Sequence, residues 1–389
     1  MKVENVEDLK SGSSMKALVY TQPGEMQWLD RPLPELADGE VVLKIEAVGI
    51  CGSDMHAWHG HDPRRQPGLV LGHEFVGHIA HSAVSGFEIG TRWTGNPLIT
   101  CGICEYCVQG RNNLCDRRTM VGMTRPGAFA QYMSIPAASL IAMPQDMPAR
   151  VAALTEPAAT AWHAINLSMR ALLRPLHECE VLVIGGGAIG MLAALLLQHL
   201  GVPRLMVTEL NPLRRLALQQ AVGCEAIDPR AAPLPDSSVD FVIDAVGSKA
   251  TRNQAFSAVK AGGVIMHVGL QDWASEVDMR KLTLSEITLL GTYTYTTADL
   301  RATVAALHRG VFGDLAWVEE RALAAGPQAF IDLDQGKSAS AKIVLRPEAA
   351  DSGQALGSLR AASGPPVFVV PVQSRLHCRP GTAASSDCV

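Results

Sequence analysis

The chain has 389 residues, too many for one hydrophobic core, which points to at least two domains. With 48% hydrophobic and 18% charged residues and a mean hydropathy of +0.14, the composition is that of a folded soluble protein, not a disordered one. A net charge of −5 and a pI near 6.2 leave no basic footprint for nucleic acid. No uninterrupted apolar run reaches the roughly 18 residues of a membrane span.

Residues 1–14 are polar, carry Glu4, Glu7 and Asp8, and end in a Ser/Gly cluster. They lack the apolar run of a secretory signal and are expected to form a flexible leader ahead of Met15, which gives a cytoplasmic assignment. From 15 to about 155, short Val/Ile-rich runs (41–45, 75–80) broken by Gly and Pro predict a mainly β body with long loops. Beyond that the character changes. Strands are predicted at 180–184, 204–208, 239–244 and 263–268, separated by helices at 188–200, 212–222 and 250–259. Such alternation implies βαβ units around a parallel sheet. The alternation weakens near 295, 341–345 reads as a last strand, and 347–389, rich in Ala, Ser, Gly and Pro, is expected to be a disordered tail.

Three motifs carry chemistry. The first is Gly185-Gly186-Gly187-Ala188-Ile189-Gly190, a G-x-G-x-x-G that follows a predicted strand and opens a helix. Gly185 permits the tight turn, Gly187 lets a pyrophosphate approach the backbone, and Gly190 lets helix pack on strand. The helix N-terminus, with Ile189 in its first turn, then offers free N–H groups and a positive dipole end to phosphates. Glu209, at the end of the next strand, is placed to accept from the adenosine ribose hydroxyls and to repel a 2′-phosphate, so NAD is favoured. Arg214 and Arg215 keep NADP open, and a different dinucleotide, S-adenosylmethionine or a ligand-free turn are the alternatives.

The second motif is Cys101-x2-Cys104-x2-Cys107-x7-Cys115. Four of the nine cysteines within fifteen residues read as a metal site rather than a disulfide framework. Four thiolates close a tetrahedral shell around Zn²⁺ with no open position, which makes the site structural. An iron–sulfur cluster and unligated thiols are the alternatives.

The third is a set of mixed ligands: Cys51 in Gly49-Ile50-Cys51-Gly52-Ser53-Asp54, then His73 and Glu74 in Gly72-His73-Glu74, and Glu156. Thiolate, imidazole and carboxylate suit a catalytic zinc that keeps one exchangeable position. Sequence spacing alone does not assemble them, and each taken singly is more often a core residue.

The order of these motifs resembles the zinc-dependent medium-chain dehydrogenase/reductase family over about residues 15–346. Glu156, where liver-type alcohol dehydrogenases have cysteine, is similar to the branch holding polyol (sorbitol-like) and threonine dehydrogenases. The resemblance implies an α/β Rossmann domain with a parallel sheet plus a GroES-like, mainly β catalytic domain, with the active site between them. It divides the chain into catalytic domain 15–157, NAD-binding domain 158–295 and a return to the catalytic domain at 296–346. The implied reaction passes hydride from a secondary hydroxyl of a polyol or sugar acid to NAD⁺ while Zn²⁺ stabilises the alkoxide. Two Zn²⁺ per chain and a homo-oligomer, a dimer or tetramer, are implied. The run at 286–295 is a candidate edge for that assembly.

Ser53 matches the hydroxyl that bonds the reacting oxygen, and His56 the far end of the proton relay. Asp54 is expected to fix the His73 ring through its second nitrogen. His59 and His61 are read as loop residues. Because both carboxylates in one shell would give it a charge of −1, Cys51, His73 and Glu74 are expected to bind zinc directly, with Glu156 reaching it through water or only transiently. Loop residues 55–70, 120–129 and 293–295 are expected to line the substrate pocket. One departure from the family is Gly90-Thr91-Arg92-Trp93, where Gly-Asp-Arg-Val is usual; it is expected to affect packing and not chemistry.

Overall fold

The computed structural model describes residues 14–347; residues 1–13 and 348–389, and with them nearly all of the expected leader and tail, lie outside the described residues. The first strand already includes Ser14. β1 (Ser14–Gln22) and β2 (Glu25–Pro32) pair as a hairpin and precede β3 (Glu40–Gly49), α1 (Gly52–Trp58) and β4 (Glu74–Ser82). Next come β5 (Arg92–Gly95), β6 (Leu98–Ile99), α2 (Glu105–Val108), β7 (Thr119–Met120), β8 (Tyr132–Pro136) and β9 (Leu140–Ala142). The helices α3 (Ala149–Ala152) and α4 (Thr155–Met169) lead into the α/β region.

That region runs β10 (Glu180–Ile184), α5 (Ala188–His199), β11 (Arg204–Thr208), α6 (Pro212–Ala221), β12 (Glu225–Ile227), β13 (Val239–Asp244), α7 (Lys249–Ala258), β14 (Val259–His267), α8 (Met279–Leu284) and β15 (Thr288–Gly291). The six strands form one parallel sheet in the order β12-β11-β10-β13-β14-β15. Order reverses between β10 and β13, the switch point at which open α/β sheets bind ligands beyond their strand C-termini. The strands read as unbroken apolar runs because both faces are covered. Val181, Val183, Phe241, Ile243 and Met266 face α5 and α4, while Leu182, Ile184, Val242 and Ile265 face α7.

α9 (Thr297–His308) follows, then β16 (Glu319–Ala322), α10 (Gly326–Asp334) and β17 (Ile343–Arg346). α9, in the stretch where helical alternation was expected to fade, packs its Leu300, Val304 and Leu307 into the same core as α4 and α5. The chain rejoins the β body only at β16. There a seven-stranded sheet runs β16-β17-β3-β4-β5-β9, with β8 also on β3. Its core holds Val41, Leu43, Phe75, Ile79, Met133 and Phe330. In the departing hairpin, Arg92 is buried and donates to Glu46 Oε2 (2.8 Å), Pro144 O (2.9 Å) and Met147 O (2.6 Å), while Trp93 Nε1 donates to Thr91 Oγ1 (2.8 Å). Among the described residues no helix is long and apolar enough to cross a membrane.

Phe241, fully buried in the centre of the parallel sheet, tests this packing. Phe241→Ala is expected to remove about 3–5 kcal/mol and lower the thermal midpoint by about 5 °C or more, read by scanning fluorimetry. An unchanged midpoint contradicts the assignment of Phe241 to the core.

Candidate active site and metal centres

Strand register brings the mixed ligands together. β3 and β4 are antiparallel with Gly49 opposite Glu74, so Cys51, two residues beyond Gly49, comes beside His73 and Glu74. A Cβ at position 49 would run into Glu74 Oε2, so glycine there leaves the carboxylate room beside the β3 backbone. Cys51 caps the N-terminus of α1, its N–H donating to Asp54 Oδ2 (3.0 Å). One donor atom each from Cys51, His73 and Glu74 falls within 4.8 Å of the others, while Glu156 lies outside that set.

The surrounding field favours a cation. Burial alone would pull His73 down, yet the charges of Asp54 and Cys51 outweigh it and hold the imidazole well above its ordinary value. Asp54 is buried, which would raise its carboxyl, but His73 and Arg65 keep it low. Asp54 Oδ1 stands 3.5 Å from His73 Nδ1, and both atoms are buried without a hydrogen-bond partner. The expected bond between them is therefore a close approach, not a formed bond, in this structure.

A buried lysine, for which the sequence carries no signal, completes the cluster. Lys342 precedes β17, whose Val344 pairs with Gly49, and this places its Nζ against Glu74 Oε1 and Oε2 (2.7 Å each) and Ile50 O (2.6 Å). Only the register of the returning strand reveals it. Glu156, in the first turn of α4, accepts from the fully buried Tyr295 hydroxyl at 3.0 Å. Burial, helped by the nearby charge of Glu74, pushes Glu156 up to about 7 against the pull of His73, Tyr295 and Lys342.

Ser53 and His56 lie on α1. Ser53 Oγ accepts from Arg65 Nη2 at 3.1 Å. Half-buried His56 is held below its ordinary value by burial and by His61, His59 and Arg65. His59, at the C-terminal cap of α1, bonds Asp334 of α10 (2.7 Å) and stacks on His61. The three loops expected to line the pocket do meet. Arg65 Nε donates to Gly122 O, and Tyr293 packs on Leu98, Met120 and Met123. Just past β15, Thr292 and Thr294 bury hydroxyl oxygens that have no partner, and Thr294 holds φ +46°, strain of the kind that collects at ligand sites.

The four-cysteine loop gathers around α2. Cys115 Sγ is 3.6 Å and Cys107 Sγ 4.0 Å from Cys101 Sγ, and the N–H groups of Cys104 and Cys101 point at Cys101 Sγ and Cys115 Sγ. In a tetrahedron with Zn–S of about 2.3 Å the sulfurs stand about 3.8 Å apart. The spacing thus fits a closed zinc shell and is far beyond a disulfide bond. Backbone N–H groups, foremost that of Ile103, draw Cys101 down to about 6, whereas burial and the neighbouring thiols push Cys107 up to about 11, so the four thiols do not all ionise without a cation among them.

At the switch point, Gly187 caps α5 without a side-chain acceptor, so the first N–H groups of the helix stay open. Gly190 packs so closely on the turn that a Cβ would lie 1.8 Å from Gly185 O. Glu209 follows β11 and accepts from Gly186 N (2.8 Å) and Asn211 N (2.7 Å). Arg215 is committed to Asp228 (3.3 Å) and to the carbonyls of Glu209 and Leu210. Arg214 keeps a buried Nε without a partner.

A parallel nucleotide-type sheet beside a β body with one closed and one mixed metal-ligand cluster defines a zinc oxidoreductase of two domains. The comparisons agree. The alcohol dehydrogenase GroES-like domain family matches residues 37–145, and the zinc-binding dehydrogenase family matches 188–309. L-threonine 3-dehydrogenase of Chelativorans sp. (strain BNC1) is 35% identical over 294 residues, 72% of this chain and 83% of the relative. L-galactonate-5-dehydrogenase of Escherichia coli K12 is 31% identical over 332 residues, 79% of this chain and 95% of the relative. The acetophenone reductase of Geotrichum candidum, solved with NAD, superposes with a TM-score of 0.78 at 27% identity, covering 87% of this chain and 98% of its own. The chain belongs to the zinc-dependent medium-chain dehydrogenase family, and is an NAD(P)-dependent oxidoreductase of the alcohol-dehydrogenase type.

Two outcomes test the centres. Lys342→Met leaves Glu74 buried without its cation, and breaking such a pair costs about 3–5 kcal/mol. Metal-stripped Lys342→Met should melt well below metal-stripped wild type and gain more from added Zn²⁺, since zinc becomes the one cation left to Glu74. Equal gains in scanning fluorimetry contradict this. Cys104→Ser should lower thermal stability and yield, because a closed zinc site contributes folding free energy, while any folded fraction stays partly active. Unchanged stability with full inactivity would move the loop from structure to catalysis.

Proposed function

We propose that the protein oxidises a secondary hydroxyl of a polyol or sugar acid to a ketone, with NAD⁺ as hydride acceptor and Zn²⁺ held by Cys51, His73 and Glu74. The observation that carries the reading is the thiolate–imidazole–carboxylate cluster with Ser53 in the same helical turn as Cys51. The sugar-acid class is supported by the L-galactonate-5-dehydrogenase relative, matched over 95% of its length. Threonine, or a simple diol, is the second reading, favoured by the 35% identical threonine dehydrogenase.

Bound zinc supplies a Lewis acid that eases loss of the hydroxyl proton, and NAD⁺ supplies the hydride acceptor. The chain's own residues do the rest. Ser53 Oγ bonds the reacting oxygen and relays its proton. His56, biased toward its neutral form by burial and its cationic neighbours, receives that proton on the ring. Glu156, tied to Tyr295, stands back to orient a water beside the metal ligands. Lys342 offsets the charge of Glu74, leaving Cys51 as the uncompensated anion of the shell.

The cysteines 101, 104, 107 and 115 hold a second, structural Zn²⁺. For the cofactor, Gly185, Gly187, Ile189 and Gly190 cradle the pyrophosphate, and Glu209, fixed by two N–H donors, keeps lone pairs for the adenosine ribose. Residues 15–157 and, from β16 onward, residues 319–346 form the catalytic domain around an NAD-binding domain whose core takes in α9. β15, the exposed edge of the parallel sheet, is the proposed seam of a dimer or tetramer in the cytoplasm.

Initial-rate assays with NAD⁺ and a panel of polyols, aldonates, threonine and 2,3-butanediol test the substrate class. Aldonate or polyol turnover is expected to exceed threonine turnover, and the reverse order overturns that choice. Wild type should prefer NAD⁺ by kcat/KM, and Glu209→Ser should shift the preference toward NADP⁺ with unchanged zinc content, Arg214 being the guanidinium free to meet a 2′-phosphate. A wild-type preference for NADP⁺ would contradict the role given to Glu209.

A further inference from the structure

Arg65 lies in the loop between α1 and β4, and its side chain is fully buried. A buried guanidinium must find acceptors for its donors. Nε donates to Gly122 O (3.1 Å), and Nη1 donates to Ser53 O (2.7 Å) and Asp62 Oδ2 (3.1 Å). These three bonds lock the group in place. They aim Nη2 at Ser53 Oγ (3.1 Å), with Asp54 Oδ1 at 3.8 Å.

The last bond has only one possible direction. Guanidinium has no lone pair to offer, so Arg65 must donate and Ser53 must accept. That occupies one of the two lone pairs of Oγ and turns the hydroxyl hydrogen away from Arg65. Among the described residues Ser53 Oγ donates to none. It is left with one vacant lone pair and one free hydrogen, the two sites a proton relay needs. The original hydrogen moves off toward His56 first, leaving Oγ partly negative, and the vacant lone pair then takes the proton leaving the substrate hydroxyl, so Ser53 ends the cycle unchanged.

We propose that Arg65 is a positioning residue of the proton relay: its guanidinium fixes the rotor of Ser53 and stabilises the partial negative charge on Oγ as the proton moves. The proposal rests on the dehydrogenase reading. A neutral donor in the same place would fix the rotor but lend less charge. The competing role is purely architectural, because the same side chain ties the start of α1, the 62–65 turn and the loop at Gly122 together.

A double-mutant cycle separates these roles. Holoenzyme variants Arg65→Met, Ser53→Ala and the double variant are compared in kcat, KM for NAD⁺, zinc content, NADH binding and thermal midpoint. Arg65→Met is expected to lower kcat about ten- to a hundredfold with KM for NAD⁺, NADH binding and zinc content unchanged. In the Ser53→Ala background it should lower kcat no further. Losses that multiply, or an Arg65→Met enzyme with wild-type kcat, overturn the proposal. Should Arg65→Met fail to fold, the cycle is run with Arg65→Lys, whose single ammonium cannot reproduce the fork. A loss seen with Ser53 present and absent without it supports the proposal, and a loss equal in both backgrounds, or no loss, overturns it. A wild type that turns over no alcohol with either cofactor overturns the dehydrogenase reading instead, an outcome distinct from additive losses in an active enzyme.

Discussion

Everything at the mixed-ligand centre depends on one register, the antiparallel pairing of β3 and β4 that sets Gly49 opposite Glu74. A strand slipped by one residue turns every side chain to the other face, and here it would carry Glu74 away from Cys51. The missing side chain at Gly49 lets the carboxylate lie over the β3 backbone, where Lys342 meets it from β17. The β body is therefore completed by a strand that follows the whole parallel-sheet region in sequence. The parallel sheet is threaded between Cys51 and Lys342, the lysine that pairs with Glu74.

That arrangement also governs the charge. Cys51, Asp54, Glu74 and Glu156 crowd one small, buried region, and without counter-ions they could not all ionise. The structure separates them into pairs. Lys342 takes Glu74, Arg65 and His73 take Asp54, and Tyr295 donates to Glu156, whose carboxyl is nonetheless driven up to about 7. A cation among Cys51, His73 and Glu74 would relieve the remaining imbalance, so the electrostatics and the donor chemistry agree on what the cluster is for. The four-cysteine loop differs in kind, with four like donors at a spacing that fits a closed shell and backbone N–H groups aimed at sulfur.

Much of this was legible in the sequence, for identifiable reasons. The strands at 180–184, 204–208 and 239–244 announced themselves because strands covered on both faces are continuously apolar, and the glycine turn because only glycine tolerates the contact at Gly190. α9 is not legible from apolar periodicity, although Thr296 and Asp299 form a capping box that signals its start. Small residues and Thr diluted its apolar stripe. Lys342 and Arg65 leave no trace, since a Lys just ahead of a strand, or one Arg of a pair in a polar loop, normally sits in solvent. Their burial follows from contacts nearly 300 and about a dozen residues away in sequence, and only the folded chain reveals those. Asp54 stands beside His73, as expected from the sequence, but at 3.5 Å it approaches the ring without bonding it.

We propose two distinct zinc centres and a separate dinucleotide site on one chain. The most direct measurement is metal analysis of folded Cys51→Ala protein alongside NADH binding followed by fluorescence. Loss of about one zinc per chain with NADH affinity close to wild type is the expected result. Loss of both zinc ions, or loss of NADH binding in a protein that remains folded, would contradict the division of the molecule into independent sites.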